Sequence, residues 1–277
     1  ELEWVSVYTF QCRRMNAFTH GRVLFVGDAA HQVSPFGARG ANSGIQDTDN
    51  LCWKLKLVIE GKAPSSFLNS YSEERVAAAD ENLMNSTRST DFITPKSKTS
   101  LMFRNATLSL ARDHAFARAL VNSGRLSVPA ILTGSSLNTP DSAIFAGDMV
   151  PGAPMDDAPV RVDGKDTWLL EHVGKRFMVL LYAKDPANLS PTPMSLFKPL
   201  ANGPLAPELV LVSGKPCVTL MGVRVLHDQD GRFAERFDAQ DGTAYLIRPD
   251  QHVAARWRAF DVDQVATALA RASGNLQ

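Results

Sequence analysis

The sequence predicts an α/β protein of two domains, and three observations carry that reading. A short all-apolar run, VLFVG at 23–27, feeds a glycine-rich loop and then a long amphipathic tract. Nearer the C-terminus, two apolar runs, RFMVLLYA (176–183) and ELVLVSG (208–214), are separated by enough chain for a crossover. Between these regions lies 127–159, rich in Pro, Gly, Ser and Asp and without a sustained period, which reads as a linker or extended arm. The boundary is placed near residue 140, giving domains 1–140 and 141–277.

Taken in order, WVSVYTFQC (4–12) alternates β-branched and aromatic residues and reads as a strand. VLFVG reads as a second strand, buried on both faces. After the glycine loop, Asn42 or Ser43 can cap a helix running to Glu60, closed by Gly61. Its apolar side is Ile45, Thr48, Cys52, Leu55 and Ile59, three and four apart. Pro64 and Ser65 open a second helical tract, with Phe67, Tyr71, Val76, Ala79 and Leu83 inward. Residues 98–122 repeat the helical period from Leu101 through Leu110 to Leu120. In the second domain, GTAYLIRPDQHVAARW (242–257) reads as two strands joined by a turn at Arg248-Pro249-Asp250-Gln251. Asp261 caps a closing helix with Val262, Val265, Ala266 and Leu269 on one side. Strand, crossover, strand, hairpin and terminal helix together resemble a thioredoxin-like α/β layer.

Composition narrows the function classes. The 277 residues carry 29 basic and 29 acidic side chains, a balance that argues against a polyanion-binding surface. Cys12, Cys52 and Cys217 are far apart and form no C-x-x-C, which points away from a disulfide framework and toward a reducing cytoplasm. His20, His114, His172, His227 and His252 lack ligand spacing, so no metal site is assigned. No run approaches the length of a membrane span. The chain begins at Glu1 directly in strand-like sequence, and is expected to be a piece of something longer.

The chemistry concentrates in GDAAHQVSPFGARGANSGIQDTDNLCWKL (27–55). A buried strand ending in Gly27-Asp28 delivers a carboxylate to the carboxyl end of a sheet, where α/β folds bind ligands. Being acceptor-only, that carboxylate suits sugar hydroxyls. Pro35 through Asn42 then lead into a helix N-terminus, whose unpaired amides favour a negative or electron-rich group. A lone Gly-Asp pair would be an ordinary turn. The conjunction of G-D-A-A-H with P-x-G-x-x-G-x-N-x-G-x-x-D-x-x-N-L-x-W-K-L is far more specific.

That conjunction resembles the second flavin-binding motif of the FAD-dependent aromatic (phenol-type) hydroxylases, single-component flavoprotein monooxygenases. The resemblance covers residues from about Trp4 to Pro95, and more weakly the C-terminal part. It implies the C-terminal part of an FAD-binding (PHBH-like) fold, followed by a thioredoxin-like domain. It implies FAD as cofactor, NADH or NADPH as co-substrate, and oxygen transfer to a phenolic ring. By position, Asp28 would bind the ribityl chain and Gly27 would let the backbone approach it. The Pro35 backbone would lie near flavin and substrate, while Gly37, Gly40, Ala41 and Asn42 would face the flavin pyrimidine edge. No catalytic side chain is assigned. Asp47, Asn50, Trp53 and Lys54 match the motif but are read as packing and helix-surface residues.

The rest of an FAD clamp is not in these residues. No G-x-G-x-x-G occurs among them, and GARGANSG has the wrong spacing. The chain is therefore expected to be a hydroxylase fragment that alone holds FAD weakly or not at all. His31 reads as a loop-stabilising residue. Arg39 meets either ligand charge or solvent. Arg13, Arg14 and the Glu73-Glu74-Arg75 run read as surface charge. Trp4, Tyr8 and Phe10 read as core more readily than as a substrate pocket. KDPANLSP (184–191), at the thioredoxin catalytic position, holds no cysteine, so a structural or homodimer-contact role is expected there. Two other readings stay open: the same flavin site acting on a polyketide-type ring, and a non-catalytic interaction module.

Overall fold

A computed structural model describes residues 3–35, 37–121, 128–189, 192–217 and 223–276. They form two compact units, one of residues 1–49 with 72–130 and one of residues 50–71 with 131–277.

The first unit has little sheet. Strands β1 (Arg13–Arg14), β2 (Thr19–His20), β3 (Val23–Leu24) and β4 (His31–Gln32) are two residues each, and pair antiparallel as β1–β4 and β2–β3. The strand expected at 4–12 does not form. A strand exists only through a partner's ladder, none of the described residues pairs with 4–12, and Trp4, Tyr8 and Phe10 are exposed rather than core. The expected doubly buried strand at 23–27 reduces to Val23–Leu24. Val23 is exposed, and Gly27 already begins a 3-10 turn, Gly27–Ala29.

Helices α1 (Arg39–Ile59) and α2 (Asn69–Ile93) each supply residues to both units. They are followed by α3 (Lys98–Asp113), capped by Ser97, and α4 (Ala115–Val121), with a break at His114. Asn122, the last residue of that expected tract, lies outside the described residues. Helix α1 starts three residues before the expected cap because the two preceding residues, Gly37 and Ala38, take positive φ (87° and 51°) and turn the chain there. Its buried face is also not the apolar one. Ile45, Cys52 and Ile59 are exposed, whereas Ser43, Asp47, Asn50 and Lys54 are buried. The inward stripe runs 43–47–50–54, a helical period written in polar residues.

The second unit is built on one seven-stranded sheet. Its strands are β5 (Pro159–Val162), β6 (Lys165–Trp168), β7 (Met178–Ala183), β8 (Glu208–Ser213), β9 (Arg224–His227), β10 (Ala244–Ile247) and β11 (Val253–Trp257), in the order β11-β10-β7-β8-β9-β5-β6. The expected pair β7 and β8 is parallel, with Val179 opposite Leu209, and the crossover between them contains α5 (Thr192–Ala201). The expected hairpin β10–β11 turns at 248–252, and Gln251 takes φ 57° there. Helix α6 (Arg232–Arg236) follows β9. Helix α7 (Val262–Ala272) closes the unit, and the Asp261 carboxylate accepts from the Asp263 and Gln264 amides as its cap predicts.

Strand alternation splits the core into two layers. Val179, Leu181, Leu209 and Leu211 face one cluster with Trp53, Phe67, Phe197, Val265 and Leu269. Met178, Leu180, Tyr182, Val210 and Val212 face the other, with Met149, Met155, Phe233 and Phe237. Two of these, Met149 and Met155, come from the expected arm, whose residues 131–159 belong to this unit. The Gly152 amide donates to the Val253 carbonyl at 2.7 Å and the Thr139 amide to the Ala254 carbonyl at 2.9 Å. A Cβ on Gly152 would stand 2.4 Å from the Leu132 carbonyl oxygen, so glycine is required where the arm crosses itself.

Candidate functional site

Gly27 and Asp28 open the 3-10 turn, closed by the Ala30 amide donating to the Gly27 carbonyl at 2.8 Å. Gly27 takes φ 58°, a region that glycine enters without a Cβ penalty. Its backbone packs on Gly44 of α1: a Cβ on Gly44 would lie 3.5 Å from the Gly27 Cα. The turn leaves Asp28 exposed at the edge of an open cleft of about 220 Å³. The cleft is lined also by Thr9, Phe10, Gln11, Arg13, Gln32 and Val33.

The other expected site residues follow on the same unit. Pro35 is exposed and its carbonyl accepts from the Ala38 amide at 3.1 Å. Gly37 is exposed, and Gly40 is half-buried, its Cα facing Val33. Ala41 and Asn42 are exposed in the first turn of α1, where helical amides have no partner four residues back. Asn42 is not the cap; its side-chain amide donates to the Ala38 carbonyl at 2.9 Å. Of these residues Asp28 lines the cleft, while Pro35, Gly37, Gly40, Ala41 and Asn42 do not.

Behind the turn lies a buried polar network. Asp47 Oδ2 accepts from the Gly27 amide at 3.0 Å and from His31 Nε2 at 2.6 Å. A carboxylate only accepts, so Nε2 carries the proton in that bond. Asp47 Oδ1 accepts from Arg75 Nε at 2.6 Å. Burial pushes the Asp47 carboxyl up, but the His31 hydrogen bond and the Arg75 charge outweigh it and hold the carboxyl below its ordinary range. Phe18 stacks on His31 with ring centroids 5.6 Å apart. Arg39 is buried, not solvent-facing, and bonds Asn82, whose amide donates to Ser43 Oγ at 2.8 Å. Burial lowers the Arg39 pKa, partly offset by the Glu81 charge.

His31 thus stabilises the loop as expected, whereas the surface readings of Asp47 and of Glu74 and Arg75 are overturned, since all three are buried. An isolated charge would not tolerate this, but a carboxylate taking three N–H donors, one of them from a guanidinium, does. Arg14 is likewise not simply solvated; it grips Asp80 through both oxygens at 2.7 and 2.8 Å.

The remaining motif residues belong to the second unit. Asn50 donates to Asp250 Oδ2 at 3.3 Å, and Arg248 meets the same carboxylate at 2.6 and 3.0 Å. Trp53 lies under the Arg248 guanidinium at 5.2 Å and against Phe67 and Phe177. Lys54 is fully buried beside Trp53. Packing is right for Trp53, and helix surface is wrong for Asn50 and Lys54. The clue in the sequence was their spacing, since 43, 47, 50 and 54 fall on one side of a helix.

Residues 1–86 match the FAD binding domain family and residues 157–272 the HcaD C-terminal domain family. The chain is 26% identical over 281 residues to a 3-(3-hydroxy-phenyl)propionate/3-hydroxycinnamic acid hydroxylase of Burkholderia vietnamiensis, covering 97% of this chain and 50% of that protein. It is 29% identical over 278 residues to the 6-methylpretetramide 4-monooxygenase of Streptomyces rimosus, covering 92% and 45%. The crystal structure of the flavin-dependent monooxygenase PieE, in complex with FAD and substrate, superposes with a TM-score of 0.75 at 22% identity, over 97% of this chain and 50% of that one. The chain spans about half the length of the curated relatives it matches. It carries an FAD binding domain match over residues 1–86 and an HcaD C-terminal domain match over residues 157–272, and these two relatives are a hydroxylase and a monooxygenase.

Proposed function

We propose that this chain forms one side of the flavin site of an FAD- and NAD(P)H-dependent monooxygenase that hydroxylates a phenolic substrate. The observation that carries the reading is the Gly27–Asp28 turn, which sets an exposed carboxylate at an open cleft, together with a 21-residue helix whose first turn exposes Ala41 and Asn42. The donor set fits the cofactor. Asp28 would accept from ribityl hydroxyls, and the amides at Gly40, Ala41 and Asn42 would face the electron-rich pyrimidine edge. Gly27 and Gly37 would keep the backbone bare of Cβ atoms there, and the Pro35 backbone would border the substrate. FAD supplies the redox chemistry when bound; the protein's share is to hold it, favour its anionic reduced form and exclude water.

In this reading residues 1–140 serve the flavin site, and residues 141–277 are a thioredoxin-like layer without redox cysteines that supports a homodimer in the cytoplasm. Among the described residues no helix is long and apolar enough to cross a membrane. A polycyclic polyketide-type substrate is the second reading, favoured by the 6-methylpretetramide 4-monooxygenase among the relatives.

Titration of the chain with FAD, followed by flavin fluorescence, tests the site. Weak saturable binding is expected, and Asp28→Ala is expected to weaken it about tenfold, as loss of a charge-assisted hydrogen bond does. An Asp28→Ala chain that binds FAD as well as the parent chain would sink the assignment.

A further inference from the structure

Glycine at position 27 solves one problem and creates another. At φ 58° the backbone turns sharply enough to aim Asp28 at the cleft. Yet glycine enters many other backbone states as readily, so sterics alone do not fix that direction. Something must hold the peptide. The buried contact within reach is Asp47, one oxygen of which takes the Gly27 amide at 3.0 Å and the His31 ring at 2.6 Å. The other takes Arg75 at 2.6 Å, and Arg75 also reaches the Ser43 carbonyl and Gln46. A neutral amide at this position would offer one accepting oxygen, not two. The carboxylate is fully buried on α1, a rigid element, and its cation comes from α2.

We propose that Asp47 is the positioning residue of the flavin site: held between Arg75 and His31, its carboxylate pins the Gly27 amide and so fixes the direction in which Asp28 is presented. This rests on the reading of Asp28 as the flavin-binding carboxylate. Asp47 itself would touch no ligand.

Amide hydrogen exchange measured by NMR on the 277-residue chain, paired with FAD titration, tests the idea. In the unmodified chain the Gly27 amide is expected to exchange slowly, and in Asp47→Asn at least about tenfold faster, with Leu51 and Leu55 of the same helix unchanged. Asp47→Leu/Arg75→Met removes the carboxylate and the cation it would strand, and keeps the measurement available if Asp47→Asn does not fold. It is expected to lose the same Gly27 protection, and FAD affinity should fall in parallel to about the level of Asp28→Ala. A Gly27 amide that exchanges fast in the unmodified chain, or stays protected in either folded variant, overturns the proposal. So does an FAD affinity unchanged by Asp47 variants but lowered by Asp28→Ala. If Gly27 responds as expected while Asp28→Ala leaves FAD binding untouched, the flavin reading of Asp28 fails and the anchoring of the turn stands.

Discussion

The turn-and-helix region of the first unit and the sheet of the second are held by opposite means. Around Gly27 and the first half of α1 the buried contacts are mainly charged and polar, Asp47, His31, Arg75, Ser43, Asn82 and Arg39, with Phe18 stacked on His31. In the sheet, β7 is buried along its whole length and packs an apolar cluster on each face. Apolar burial is non-directional and sums with area, so a sheet assembled this way tolerates modest shifts. Hydrogen-bonded charges fix direction, and fail sharply when one member is lost. The polar network sits behind the turn that must aim a carboxylate, which is where direction matters.

The largest effect should come from breaking each region by its own means. Asp47→Ala strands Arg75 and the Gly27 amide, and is expected to cost about 3–5 kcal/mol in urea unfolding. Leu211→Ala, fully buried in the sheet, should cost about 3 kcal/mol through lost burial and a cavity. Adding Arg75→Met should recover part of the first loss, while no polar partner change will recover the second. A recovery of nothing in the double variant would erase the distinction.

Acid should separate the regions next. The Asp47 carboxyl is held below its ordinary range, so its contribution is complete above the unfolded carboxyl pKa of about 4. It is lost as pH falls through the lower folded value. Burial also pushes the Asp250 carboxyl up, yet Arg248 and His252 hold it well below its ordinary range, so its network should survive to more acid pH. Exchange at Gly27 during an acid titration should therefore rise before exchange at the Asp250 hairpin; the reverse order would contradict this.

The smallest test concerns the glycine pair. Gly27→Ala forces a side chain into positive φ and should destabilise by about 1 kcal/mol. Gly44→Ala meets Gly27 at an ordinary contact distance inside a helix, and should be neutral or stabilise by up to about 1 kcal/mol. Thermal unfolding of the two variants reads the contrast.

The apolar regions were the legible ones. Runs such as MVLLYA and ELVLVS became β7 and β8 because continuous apolar sequence can be buried from both faces. Asp261 and the Arg248–Gln251 turn also did what their residue types predict. The residues 4–12 were misread because alternation describes a strand's faces and cannot supply its partner. The face of α1 was misread because a periodicity argument ranks Ile45, Cys52 and Ile59 above Asp47 and Lys54. β5, β6 and β9 escaped notice, being short and carrying charges such as Arg161, Asp166 and Arg224 at the sheet's edge side.

By itself the sequence determined the glycine turn, the helix that follows, the motif resemblance, and the strand–crossover–strand–hairpin–helix order of the second unit. These depend on local conformational preference and on the burial of apolar runs, both written in neighbouring residues. Tertiary structure alone decided which side of α1 turns inward, because a buried Asp47 is tolerable only where His31 and Arg75 arrive from elsewhere in the chain. Distant partners settle the fate of a charge, and no local pattern contains them.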